Sequence, residues 1–151
     1  MILRKGITGF QSRRTSQLSR VDYTLFCHVA YDFGRLNGAN VVAVQADDAG
    51  CNFYHAVFDG TSKGYLFCNA VYPILAWSTD AITLGSLHQF IDIPNKEILC
   101  SRYPLFDFPQ AEELHTKVPE DERQQLSLFE REQAQYWNAQ TFGDFIFNRW
   151  D

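Results

Sequence analysis

Four histidines and four cysteines are the side chains of this sequence best suited to chemistry near neutral pH: His28, His55, His88 and His115, and Cys27, Cys51, Cys68 and Cys100. A thiol becomes a nucleophile when a neighbouring imidazole lowers its pKa. The alternation Phe53-Tyr54-His55-Ala56-Val57, followed by Asp59-Gly60-Thr61-Ser62, reads as one arm of a hairpin and its loop. A loop centred near residues 61–62 sets His55 opposite Cys68 on one face, the kernel of a Cys–His site. No third group that would orient the imidazole is evident, and the apolar neighbours equally describe an inert buried thiol. His28, beside Cys27 between core-facing helical positions, reads as a half-buried structural histidine. His88 and His115 stand alone.

Other catalytic patterns are missing. Successive cysteines are 24, 17 and 32 residues apart, with no C-x-x-C pair and no H-E-x-x-H, so neither metal nor cofactor is expected. The nine glycines form no G-x-G-x-x-G and no phosphate loop. The carboxylate pairs Asp47-Asp48 and Glu112-Glu113 are adjacent in sequence, and adjacent residues do not face one pocket; both read as solvated charge.

A chain of 151 residues and 17.4 kDa makes one domain, here taken as 1–151. Surface scaling lets a chain of this mass bury about 69% of its area, enough for a core without staples. The 46% hydrophobic and 21% charged composition excludes a disordered tail. No secretory apolar stretch follows Met1, and no window approaches the ~18 apolar residues of a membrane span. A soluble, cytoplasmic protein with four buried thiols rather than two disulfides is the expectation.

Charge is uneven. Residues 1–20 hold Arg4, Lys5, Arg13, Arg14 and Arg20 without an acid, so the other 131 residues sum to −10. The leading cations read as a solvated stretch rather than a nucleic-acid footprint, and no membrane partner is expected. Glu112 to Glu132 holds seven acids against Lys117, Arg123 and Arg131, which favours a basic protein partner.

The elements that position these residues follow from periodicity. Leu18, Val21, Leu25, Val29 and Phe33 form one stripe of an amphipathic helix, with Ser16 or Ser19 at its start and Gly34 at its left-handed end. Strands are expected at Val41–Ala46, Cys51–Asp59 and Lys63–Trp77, the last interrupted at Pro73, with further short strands at Ala81–Leu84 and at Ile91–Ile93 or Glu97–Cys100. Ser86–Ile91 reads as a turn of helix, and Ile2–Phe10 as an edge strand or an ordered arm. Gln110–Thr116, Pro119–Leu128 and Phe129–Trp137 are helix-compatible, and Thr141-Phe142-Gly143-Asp144 resembles a capping box ahead of a helix docked on the core. The result is an α+β fold: a meandering antiparallel sheet, an N-terminal helix, and C-terminal helices packed on the sheet.

Aromatic residues make up 15% of the chain. Tyr103-Pro104-Leu105-Phe106-Asp107-Phe108-Pro109 is too proline-rich for regular structure and too apolar for a wet loop, so it either folds over the sheet as a lid or meets another protein. The segments Arg4–Phe10 and Thr141–Asp151 resemble small single-domain bacterial proteins, among them immunity partners of polymorphic toxins. That resemblance implies a cytoplasmic, non-enzymatic, acidic binder that neutralises a cognate toxin domain, a nuclease or an ADP-ribosyltransferase, by occluding its active site or substrate groove. Partner-binding residues are then expected at Tyr103, Phe106 and Phe108, the desolvated centre, and at Glu112, Glu113, Glu120, Asp121 and Glu122, the steering charge. The alternative is a small cytoplasmic enzyme with a Cys/His or acid site on the sheet face.

Overall fold

Hairpin connections dictate the sheet. A computed structural model of the chain describes residues 1–11, 18–47, 50–80 and 89–150. Five strands, β1 (Ala39–Gln45), β2 (Phe53–Gly60), β3 (Gly64–Asn69), β4 (Leu75–Ser78) and β5 (Phe90–Ile91), pair antiparallel in sequence order, the expected meander. Edge strand β1 carries an irregularity between Val41 and Ala43, and the Tyr23 hydroxyl donates to the Val44 carbonyl at 3.0 Å. Both features blunt an edge that would otherwise template another strand.

Helix α1 (Tyr23–Asn37) precedes the sheet and buries Phe26, Val29, Ala30 and Phe33. Its limits lie downstream of the expected ones because other residues satisfy the helix ends. The Asp22 carboxylate accepts from the Thr24 N–H at 2.9 Å, and Gly38, at φ 63°, supplies the left-handed exit. Gly34 is inside the helix, where a Cβ would stand 2.9 Å from the Ala39 carbonyl oxygen; it lets β1 fold back closely. Ser16 is outside the described residues, as are Arg13, Arg14, Asp48, the 81–84 strand and His88.

After β5 come α2 (Lys96–Arg102), α3 (Ala111–His115), α4 (Glu120–Arg123), α5 (Leu128–Tyr136) and α6 (Phe142–Ile146). Glu97–Cys100 is thus helical, not a strand, and Ser86–Ile91 ends in β5. Thr141 and Asp144 form the expected capping box, and Ser127 with Glu130 forms another.

The sheet is covered on both faces. Tyr54, Ala56, Phe58, Leu66, Cys68, Leu75 and Trp77 point to one core with α1 and Leu99 of α2. Phe53, Phe67 and Ala76 point to the other, with Leu3 and Ile7 of the N-terminal segment and Phe142, Phe145, Ile146, Phe147 and Trp150. Two cores absorb most of the aromatic excess, including Phe67, Trp77 and Trp150. They also explain why β3 and β4 read as nearly unbroken apolar runs.

Residues 1–10 form an ordered arm of turns and lie on the second core. Three buried asparagines fasten it. Asn52 and Asn69 each donate through Nδ2 to the carbonyls of both Ile7 (2.9 Å each) and Ile146 (3.0 and 2.6 Å). Asn148 donates through Nδ2 to the carbonyls of Thr8 and Phe145, and its N–H donates to Asn52 Oδ1 at 2.9 Å. The arm and the segment after α6 thus share one polar junction at the end of β2 and β3.

Candidate functional site

The expected Cys–His pairing does not form. Phe58 pairs with Gly64, which sets Tyr54 opposite Cys68 and His55 opposite Phe67. A shift of one residue moves a side chain to the other face. Cys68 is buried in the α1-side core, where burial pushes its thiol pKa up, away from a reactive thiolate. His28 is exposed rather than half-buried, because its position lies on the solvent side of α1. His115 bonds the Phe90 carbonyl through Nε2 at 2.9 Å. All four cysteines are free, but only Cys68 is fully buried. Among the described residues no group of three or more His, Cys, Asp or Glu is placed to hold a metal ion.

Of the two readings of Tyr103–Pro109, the structure has the segment folded over the sheet. The Asp107 N–H donates to the Pro73 carbonyl at 2.7 Å and the Leu75 N–H to the Asp107 carbonyl at 2.9 Å, a strand-like extension beside the start of β4. Side chains alternate accordingly. Phe106 and Phe108, 5% and 9% exposed, enter the α1-side core, which removes both from the expected partner-binding set. Leu105 and Asp107 face outward, and Leu105 is 63% exposed.

Tyr103 is half-buried, and its hydroxyl donates to the Asp32 carboxylate, which also meets Arg35 and, at 3.7 Å, Arg102. Tyr103 first and Arg35 second hold the Asp32 carboxyl below its usual range. Burial first and the bond to Asp32 second push the Tyr103 hydroxyl up to about 12. An unfolded tyrosine ionises near pH ~10, so this stabilisation is complete below that pH. It is lost as pH rises through about 12. Tyr103→Phe is therefore expected to flatten the alkaline limb of stability, measured as urea midpoints on either side of pH ~10. An unchanged limb would assign the alkaline dependence to other groups.

The acids of the last third fall into two sets. Glu113 accepts from the Gln110 N–H (2.8 Å), Glu122 from the Leu3 N–H (3.0 Å), and Asp144 from the N–H groups of Gln140 and Thr141 (2.8 Å each). Glu130 is fully buried and accepts through Oε1 from Gly6 N–H (2.9 Å) and Thr8 Oγ1 (2.8 Å), and through Oε2 from Ser127 N–H and Oγ (2.9 Å each). These four are structural acceptors. By contrast Asp107, Glu112, Glu120, Asp121 and Glu132 are exposed, and among the described residues their carboxylates take part in no hydrogen bond or ion pair. Of the five acids expected to steer a partner, Glu112, Glu120 and Asp121 are thus free, while Glu113 and Glu122 already serve the fold.

An open groove of about 530 Å³ lies between the arm and the 103–109 segment, with Ile2, Arg4, Tyr72, Leu105, Asp107 and Glu113 along it. Arg4 lies over the Tyr72 ring at 5.6 Å, and the Tyr72 hydroxyl donates to the Lys5 carbonyl at 2.8 Å, so one wall is pre-formed. Ile2 is 65% exposed, and with Leu105 it gives the groove an apolar rim beside the Asp107 carboxylate. Ile2 and Leu105 are the members of this surface that sequence reasoning misses. The available signal for Leu105 is the period-two pattern that sends Phe106 and Phe108 inward.

No protein family, no curated protein and no solved structure matches the chain.

Proposed function

We propose that this protein is an immunity-type binder that docks a basic bacterial toxin domain and occludes its active site or substrate groove. The observation that carries this reading is the set of unpaired exposed carboxylates, Asp107, Glu112, Glu120, Asp121 and Glu132, in a region where other acids are engaged by backbone N–H groups. Charges held out of internal pairing steer an oppositely charged partner and imitate its anionic substrate. Ile2 and Leu105 supply apolar area that contact would desolvate.

Co-expression with the product of the neighbouring gene tests the reading: rescue from that product's toxicity and co-purification are expected, and neither occurring would sink it. In the complex, Glu120→Lys with Asp121→Lys is expected to lower the association rate roughly tenfold and flatten its salt dependence, with little change in dissociation. Stopped-flow binding at two ionic strengths reads this, and an effect confined to dissociation would contradict the steering role.

A further inference from the structure

The outer face of α5 stands clear of both cores. Glu130 and Ala134 are its buried residues. On the opposite side Leu128, Glu132 and Tyr136 recur every four positions, one stripe turned to solvent. Leu128 is 64% exposed and Tyr136 79%, the largest value among the exposed apolar side chains of the described residues. Phe129 lies beside the stripe and is also exposed.

The helix forms a ridge between two open clefts. One, of about 480 Å³, runs along α4, with Glu120, Arg123, Arg131, Gln135 and Phe145. The other, of about 500 Å³, runs along the arm, with Lys5, Phe10 and Phe129. Leu128 and Glu132 line both. A ridge with a groove on each side is the relief across which another helix packs.

Charge selects the helix that can cross it. The exposed charged residues of α4 and α5 are Glu120, Asp121 and Glu132 against Arg131. Arg123 is half-buried, with its guanidinium over the Phe145 ring at 5.6 Å and its Nε donating to the Val118 carbonyl at 3.3 Å. A second copy packed about a two-fold axis through Glu132, the middle of the stripe, would bring Leu128 against Tyr136 but also Glu132 against Glu132. That like-charge contact disfavours self-association, whereas a cation at the same place pairs with Glu132.

We propose that this face receives a helix of the partner on which a lysine or arginine lies between two apolar side chains. Leu128 and Tyr136 take the apolar contacts, tyrosine being a side chain that dominates such centres, and Glu132 takes the cation. The inference rests on the immunity reading, since the partner is the basic toxin domain, and adds which surface anchors it.

The test is a biosensor titration of the full chain against the purified product of the neighbouring gene. Leu128→Ala with Tyr136→Ala is expected to raise the dissociation rate at least about tenfold and to leave association nearly unchanged. Glu132→Lys is expected to weaken binding by about tenfold or more. Val42→Ala, at an exposed position of β1, is the control and is expected to bind as the wild type does. All four positions are exposed, so each variant should unfold within about 2 °C of the wild type. Wild-type dissociation in Leu128→Ala with Tyr136→Ala, or undiminished affinity in Glu132→Lys, would overturn this inference and leave the immunity reading standing. A concentration-dependent dimer of the chain alone, abolished by Tyr136→Ala, would assign the face to a second copy and overturn it as well. The absence of any complex with the wild-type chain sinks the immunity reading and this inference with it.

Discussion

Glu130→Ala is expected to destabilise the protein by about 3–5 kcal/mol, among the largest effects of any single substitution outside the aromatic core. The side chain is fully buried, with no ion pair among the described residues, and its two oxygens divide the work. Oε2 closes the capping box with Ser127 at the start of α5, and Oε1 holds Gly6 and Thr8 of the arm. Alanine removes the acceptor of the Gly6 and Ser127 N–H groups and of the Thr8 hydroxyl. Loss of a cap alone costs about 1 kcal/mol, so most of the effect belongs to the arm. Thermal unfolding is expected to shift down by roughly 10 °C or more. Hydrogen exchange should show residues 3–8 losing protection ahead of β2 and β3. A shift of under about 3 °C would mean that the asparagine junction and the packing of Leu3 and Ile7 hold the arm without Glu130.

Asn69→Leu, nearly isosteric, is expected to cost a similar amount, about 3–5 kcal/mol, for a different reason. The Asn69 carboxamide is completely buried and makes four hydrogen bonds: Nδ2 to the Ile7 and Ile146 carbonyls, and Oδ1 from the N–H groups of Val71 and Tyr72 (2.9 Å each). Leucine fills the space and satisfies none of them. Because Asn69 and Glu130 hold consecutive residues of one arm, their losses should not add. Once the arm is detached by one substitution, the other has less left to remove, and a double-mutant cycle in urea should return a coupling of about 1 kcal/mol or more. Full additivity would show that the two grips act on independent parts of the fold.

How much of this was legible depends on how local each determinant is. The helix period at Val21, Leu25, Val29 and Phe33, and the β-branched and aromatic runs split by Asp59-Gly60, foretell α1 and the meander because neighbouring residues encode both. The helix ends move because Asp22 and Gly38 offer the same cap chemistry as the serines and Gly34, and only the return path of β1 decides among them. Hairpin register depends on how the five residues between Phe58 and Gly64 close, and one residue of ambiguity is enough to separate His55 from Cys68. The aromatic excess misleads for an architectural reason. A sheet covered on both faces needs two cores, so Phe106 and Phe108 have an interior to enter. Ser127 and Glu130 cap a helix inside the window read as Pro119–Leu128 and Phe129–Trp137, and nothing within that window says that the same carboxylate reaches Gly6, 124 positions away. The acidic surface was legible as charge, but its division into free and engaged members is purely tertiary.

The asparagine junction also imposes an order of events during synthesis. Asn52 and Asn69 emerge from the ribosome with the first three strands, when the Ile7 carbonyl is available and the Ile146 carbonyl is not. Until residue 146 clears the exit tunnel, each amide has one of its two buried partners, and the sheet face that α6 will cover is open to water. A nascent chain therefore collects strands and α1 early but closes its second core only after residue 146 has emerged. The long closure between Ile7 and Ile146 makes the final step slow to find and hard to reverse. Ribosome pausing within the last third would prolong the period in which Phe53, Phe67 and Ala76 lack their cover.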